Sequence, residues 1–238
     1  MNIALIGSGG REHALCKKFY ESKITKKIVC FPGNAGTAKL GTNINVDILN
    51  FKKILALIKS HKIDLVVIGP EEPLVKGLVD FLKKNKVMVF GPNKYAAKLE
   101  GSKAFMKKLC STYSIPTAKF KICNKKKQVL NFIKNCKLPI VVKADGLAAG
   151  KGVTICLTKK KVLDVSEEIF KGKFKSSKKL VLEEFLDGEE ASYFLVVDNN
   201  DFKFLVQLKI IKELGKMIKD LILEEWVHIL QRQSLIKN

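Results

Sequence analysis

The sequence predicts an α/β protein in two parts: a doubly wound parallel sheet over the first hundred residues, then an α+β part built on antiparallel strands. Three observations carry this. Short apolar runs alternate with stretches of helical periodicity over residues 1–99. Beyond them, paired apolar runs flank a glycine-rich loop in the manner of a hairpin. Hydrophobic residues make up 47% of the 238 positions, ample for a core, yet the longest apolar runs, "LVVIG" (65–69) and "YFLVV" (193–197), are only of strand length.

The elements follow in order. "NIALIG" (2–7) reads as a strand and "REHALCKKFYES" (11–22) as an amphipathic helix. "KIVCF" (27–31) is a second strand, closed by the turn "PGNAG" (32–36). After "NVDIL" (45–49) comes the helix "FKKILALIKSHK" (51–62), then the buried strand "DLVVIG" (64–69), a helix over about 73–84, and the strand "VMVFG" (87–91). Sheets of this kind bind ligands beyond the carboxyl ends of their strands, which singles out residues 7–13, 32–37 and 69–74. A helical connection (91–109) leads to the second part, with a domain boundary expected near Leu99. There "AKFKIC" (118–123) is a strand and 126–135 a helix, while "PIVVK" (139–143) and "VTICL" (153–157) flank the glycine loop. A helix near 160–171 and the strands 179–186, 191–198 and 202–208 complete what reads as one antiparallel sheet.

Charge and cysteines exclude several classes. The net charge of +21 invites a nucleic-acid partner, but of the 44 basic residues Arg11 and Arg232 alone are arginine. Base readers and phosphate clamps rely on arginine's planar fork, and the lysines are scattered over helix faces, so no nucleic-acid role is expected. The charge should still attract polyanionic small molecules. The N-terminus runs straight into a strand with no basic leader, so no secretory signal is expected, and no membrane span either. The six cysteines form no close pair in sequence and do not join His13, His61 or His228 in metal spacing, which fits reduced thiols in a cytoplasmic protein.

Three segments carry chemistry. In "GSGGREH" the glycines follow a buried strand and open a helix, baring its first N–H groups to a phosphate. A dinucleotide fingerprint is disfavoured, because Glu12 stands where its third glycine belongs; a smaller phosphorylated ligand, with bidentate help from Arg11, remains. The alternative is a tight turn beside a solvated arginine. "GLAAGKG" lacks the spacing of a P-loop, with Gly152 after Lys151 where that motif needs Ser or Thr. A glycine-rich flap between strands can cover phosphates with backbone amides, with Lys151 and the preceding Lys143 as cations. A flexible hairpin with two surface lysines is the other reading. In "LEEFLDGEEAS" (182–192) a strand ends in carboxylates that can serve an adenine edge and a ribose, or merely form an exposed acidic end.

Together, "GSGGREHAL", "PGNAGTA", "GPEEPLVKG", "LEGSKAFMK", "IPTA", "KADGLAAGKGV" and "EEFLDGEEAS" resemble, in order and spacing, the phosphoribosylamine–glycine ligase (glycinamide ribonucleotide synthetase) family of ATP-grasp enzymes, over residues 1 to about 205. The resemblance implies a Rossmann-like, parallel-sheet pre-ATP-grasp domain (1–99) followed by an incomplete ATP-grasp domain (100–207). It implies ATP-dependent ligation of glycine to 5-phosphoribosylamine in purine biosynthesis, by a cytoplasmic monomer acting on small molecules. It further implies that Lys103 and Lys143 contact ATP phosphates, under a flap formed by Gly146, Gly150, Lys151 and Gly152. Glu183 and Leu186 would meet adenine, largely through the backbone, and Glu190 the ribose. Gly9, Gly10, Arg11, Glu71 and Pro73 would line the phosphoribosylamine site. No catalytic residue and no metal ligand is assigned; magnesium ligands belong to a downstream part. Another ATP-grasp carboxylate–amine ligase, or a non-catalytic sugar-phosphate and nucleotide binder, are the alternatives.

After about Leu205 the likeness stops. Codons built from the last base of each codon and the first two of the next let residues 223–230 spell Gly-Gly-Met-Gly-Ala-Tyr-Ser, a motif the family carries. The same shift lets "KDLIL" spell Gly-Leu-Asn-Thr and residues 208–212 supply Asp-His-Lys. The tail 208–238 is therefore expected to be a frameshifted, non-family segment, with a helix over about 221–230. Without the magnesium ligands and one wall of the ATP site, the chain is expected to have impaired or no ligase activity and to expose apolar surface.

Overall fold

A computed structural model describes residues 1–148, 150–174, 178–198 and 201–210. The expected tail helix and most of the tail lie outside the described residues. The chain divides into two compact units, Met1–Phe185 and Leu186–Asn238.

The first unit opens with the expected parallel sheet. Its strands are β1 (Asn2–Gly7), β2 (Lys27–Pro32), β3 (Thr42–Asn43), β4 (Leu65–Ile68) and β5 (Val89–Phe90), in the order β3-β2-β1-β4-β5. Every pairing is parallel. Central strands of such a sheet are buried on both faces, and β1 and β2 are continuous apolar runs for that reason. One face carries Ala4, Ile6, Val29, Phe31, Val66 and Ile68 against the helices α2 (Phe51–Ser60) and α4 (Leu78–Lys84). The other carries Ile3, Leu5, Ile28, Cys30 and Val67 against α1 (Gly10–Tyr20), whose Cys16 is buried there. The stretch expected to be one helix over 73–84 is two, α3 (Glu71–Lys76) and α4, because Gly77 takes the left-handed conformation at φ +96° between them.

The connection to the second part holds α5 (Lys98–Gly101) and α6 (Lys103–Thr112). Four strands follow: β6 (Phe120–Cys123), β7 (Ile140–Ala144), β8 (Val153–Cys156) and β9 (Leu180–Glu184), with α7 (Lys126–Lys134) and α8 (Lys159–Phe170) between them. The order β6-β9-β7-β8 is antiparallel throughout. Val129, Ile133, Val162, Val165 and Ile169 of the two helices bury Ile140, Val142, Leu180 and Leu182 of the sheet. β10 (Glu190–Val197) and β11 (Phe202–Ile210) were expected in this same sheet; they form instead a separate antiparallel hairpin in the second unit. β9 ends at Glu184, and the non-strand residues that follow leave the ladder, so hydrophobic patterning alone could not tell a continuing sheet from a new one. Tyr193, Phe194, Leu195, Val197, Phe202 and Phe204 of the hairpin are exposed.

Candidate active site

At the carboxyl end of the parallel sheet, the turn between β1 and α1 is built around Glu12. Its carboxylate, 4% exposed, accepts the Gly9 N–H on Oε2 at 2.6 Å and closes the first turn of the helix. It fits only because its neighbours lack side chains: a Cβ on Gly69 would stand 2.0 Å from Oε1, and one on Gly7 2.7 Å from Cδ. Oε1 has no hydrogen-bond partner among the described residues. Residue 12 was read as a departure from a dinucleotide motif. Its structural signal was the three-residue spacing from Gly9, which is that of a capping carboxylate.

The loop after β2 is tied to the same turn. Asn34 Nδ2 donates to the carbonyls of Ser8 (2.9 Å) and Gly9 (3.2 Å), while Asn34 Oδ1 accepts from the backbone of Gly36 and Thr37. Gly9 and Gly10 thus sit at the start of α1 in a braced turn. Arg11 points to the start of α3, where its Nη2 donates to Glu71 Oε1 at 2.7 Å. That hydrogen bond holds the guanidinium above its ordinary range. Burial works against charge on Glu71, but the hydrogen bond and charge of Arg11, with Glu71's own backbone N–H, outweigh it and keep the carboxyl below its usual range. Pro73 is buried in the first turns of α3. The structure therefore joins Gly9, Arg11 and Glu71 at one end of the sheet, beside a cleft of about 470 Å³ lined by Arg11, Glu12, Leu15, Val67, Gly69 and Phe90.

A second group of charges gathers where α6 meets the antiparallel sheet. Ser102 caps α6, accepting the Phe105 N–H at 3.1 Å. Asp145, at the end of β7, accepts from Ser102 Oγ (3.0 Å) and from the Ala104 N–H (3.1 Å). The carboxylate thereby pins the positive end of the helix to the base of the glycine loop. From that helix Lys103 Nζ donates to the Gly146 carbonyl at 3.0 Å, inside the loop itself. Gly146 and Gly150 hold φ of +87° and +76°, conformations that admit glycine readily, and Gly152 returns the chain to β8 with its carbonyl on the Ala144 N–H at 2.7 Å. Lys151 is exposed at the far side of the loop.

Lys143, three residues before the loop glycine, sits with Nζ 3.0 Å from Glu183 Oε2. Glu183 is buried in β9, paired with Phe120 on one flank and Val141 on the other. Lys107 Nζ lies 3.0 Å from the same Oε2. Neither Lys107 nor Asp145 was singled out by sequence. Lys107 falls on the inward stripe of α6 with Ala104 and Cys110, a position where a lysine among apolar neighbours is a legible signal. Leu186 and Glu190, the remaining expected nucleotide contacts, open the second unit, Leu186 exposed before β10 and Glu190 its first residue. Among the described residues no group of three or more His, Cys, Asp or Glu converges in a way that could hold a metal ion.

Comparison with known proteins decides the family. The model of the phosphoribosylglycinamide synthetase N domain matches residues 1–100, and that of the phosphoribosylglycinamide synthetase ATP-grasp (A) domain matches residues 101–222. The chain belongs to the phosphoribosylglycinamide synthetase family. Among curated members, the phosphoribosylamine–glycine ligase of Brucella melitensis is 45% identical over 199 residues, which is 83% of this chain and 47% of the relative. That of Haemophilus influenzae is 40% identical over 220 residues, 91% of this chain and 51% of the relative. The crystal structure of phosphoribosylamine–glycine ligase from Thermotoga maritima superposes with a TM-score of 0.74 at 33% identity, covering 88% of this chain and 50% of that one. The chain thus spans about half the length of the phosphoribosylglycinamide synthetase relatives it matches. The second family match extends beyond residue 207 to residue 222, into the segment expected to be unrelated.

Proposed function

We propose that this chain carries the sugar-phosphate site and the phosphate-facing part of the ATP site of a ligase that joins glycine to 5-phosphoribosylamine. In that reaction the γ-phosphoryl group passes from ATP to a carboxylate oxygen of glycine and ADP leaves. The amine of phosphoribosylamine then attacks the acyl carbon, the C–N bond forms, phosphate departs and the amine loses a proton. Phosphorylation is needed because a carboxylate is a poor electrophile. The observation that carries the reading is a pair of ammonium groups at the base of the glycine loop: Lys103 Nζ on the Gly146 carbonyl from α6, and Lys143, near the end of β7 just before the loop, with its Nζ on Glu183.

On this reading Lys103 and Lys143 meet the ATP phosphates, and the loop with Gly146, Gly150, Lys151 and Gly152 covers them and excludes water from the acyl phosphate. Glu183 and Leu186 serve adenine and Glu190 the ribose. Gly9, Gly10 and Arg11, with Glu71 and Pro73, take the phosphoribosylamine; the N–H groups opening α1 suit its phosphate. Arg11 already spends one nitrogen on Glu71, so that pair would fix the guanidinium for a phosphate on its other edge. Magnesium would supply charge neutralisation of the triphosphate. Among the described residues no three or more His, Cys, Asp or Glu converge, and the phosphate-binding roles proposed for this chain fall to lysines and backbone amides. Residues 1–99 and 100–207 are read as the sugar-phosphate and nucleotide modules of a cytoplasmic monomer that acts on small molecules, with neither nucleic acid nor membrane as partner. Among the described residues no helix is long and apolar enough to cross a membrane.

Calorimetry on the chain tests this. ATP should bind more tightly than adenosine, and Lys143→Met should remove most of that difference. Ribose 5-phosphate, a stable stand-in for phosphoribosylamine, should bind the parent chain and fail to bind Arg11→Met. No heat with either ligand would remove the reading.

A further inference from the structure

We propose that Lys107 is a positioning residue for the nucleotide phosphates: buried on Glu183, it cancels that carboxylate's charge and so leaves the charge of Lys143 available to the ligand. The proposal rests on the reading of Lys143 as a phosphate contact.

The geometry poses a problem that Lys107 solves. An ammonium 3.0 Å from a carboxylate forms a neutral pair, and a neutral pair does little to attract a polyanion. Were Lys143 and Glu183 alone, the lysine would be held inward with its charge spent. The structure instead sets a second ammonium at the same 3.0 Å from the same oxygen, Glu183 Oε2. Two positive charges then face one negative, and the surplus is a full positive charge.

Exposure decides where that surplus acts. The Lys107 side chain is 4% exposed and that of Lys143 27%. Lys107 also donates to Thr117 Oγ1 at 2.6 Å, and its Nζ lies 5.7 Å from the centre of the Phe120 ring. Its contacts are turned inward, and it does not reach the surface. Lys143 keeps a solvent side and stands next to the loop that begins beyond Asp145. A buried lysine is costly in an inward helical position, where an apolar residue would fill the stripe between Ala104 and Cys110. The cost is intelligible if its charge is used. Helix α6 then performs two tasks one turn apart: Lys103 reaches the loop carbonyl, and Lys107 balances the carboxylate beneath Lys143.

A purely structural role, in which Lys107 only satisfies Glu183, makes a different prediction, and charge balance separates the two. Lys107→Met leaves one positive and one negative charge. The double variant Lys107→Met with Glu183→Gln restores a surplus of one positive charge without restoring the contact. Titrations with ATP and adenosine, on proteins whose folding is checked by circular dichroism, should show Lys107→Met losing about tenfold in ATP affinity with adenosine unchanged. The double variant should recover the ATP-to-adenosine ratio. Acylation of Lys143 by an amine-reactive ester, followed by peptide mass spectrometry without nucleotide, should slow in Lys107→Met and recover in the double variant. If ATP and adenosine weaken together, or the double variant stays as poor as the single, the proposal is overturned. Failure of the parent chain to bind ATP would sink the nucleotide reading. The labelling rates would still decide the charge balance, and equal rates in parent and Lys107→Met would overturn that too.

Discussion

Glu12 shows how much a single residue can demand of its neighbours. A carboxylate 4% exposed needs both hydrogen-bond donors and room, and here the room comes from Gly7 at the end of β1, Gly9 in the turn and Gly69 just past β4. Gly69 is the tightest of them, since a Cβ there would lie 2.0 Å from Oε1 and 2.6 Å from Cδ. Glu12 cannot swing away cheaply, because Oε2 is fixed by the Gly9 N–H at 2.6 Å. Gly69→Ala should therefore destabilise the protein by about 1–3 kcal/mol, the usual cost of overpacking a close-packed site. Urea denaturation should show a lower midpoint with an unchanged slope, and adding Glu12→Ala should return part of the loss. A Gly69→Ala midpoint equal to that of the parent would mean that the carboxylate is not held as described. The cysteines illustrate the opposite case, residues without demands. Burial pushes the thiols of Cys30 and Cys123 up to about 12 and about 11, which keeps them protonated and unreactive at neutral pH.

At the scale of elements, α6 matters most, because its first turn is held from outside the helix. Ser102 supplies the N-cap, but Asp145, forty-odd residues on, accepts the Ala104 N–H and the Ser102 hydroxyl and adds a negative charge at the positive helix end. Asp145→Ala should cost about 1–2 kcal/mol of stability by the loss of that cap. Hydrogen exchange should quicken at the Ala104 and Phe105 amides more than at the α8 amides; a uniform change along the chain would contradict a local cap. This element also shows what was legible in the sequence. The strands β1, β2 and β4 and the helices α1 and α2 were plain, because period and turn residues agreed, and the glycine segments stood out by composition alone. The break at Gly77 was not, since an isolated glycine within a helical pattern does not announce its φ. The pairing of β10 with β11, apart from the four-stranded sheet, was hidden for another reason: alternation tells which face is apolar, not which strand is the neighbour. The ion cluster was hidden by background. In a chain with 44 basic residues, Lys107 looks like one more surface lysine until its place between Ala104 and Cys110 on the inward stripe is read.

For the whole molecule, the net charge of +21 is a property no single site explains. It is carried almost wholly by lysines, and Lys126, Lys171 and Lys173 among them lie on the surface in pairs with Glu167 and Glu168. Such exposed pairs contribute little to stability, and most of the positive field remains uncompensated. A field of that sign raises the local concentration of polyanions and speeds their encounter, but it decays within a screening length of about 10 Å at 0.1 M salt. ATP and adenosine differ in charge and share the base and ribose, so they separate the two contributions. Raising sodium chloride from about 0.05 to about 0.5 M should slow ATP association by roughly tenfold while adenosine binding stays level. The dissociation rate of ATP should move less, because the contacts proposed at Lys103 and Lys143 would be short-range and partly shielded from bulk ions. Stopped-flow fluorescence with a labelled nucleotide reads both rates. If salt changed dissociation and left association alone, the distributed lysines would have no steering role, and the charge would reflect composition without function.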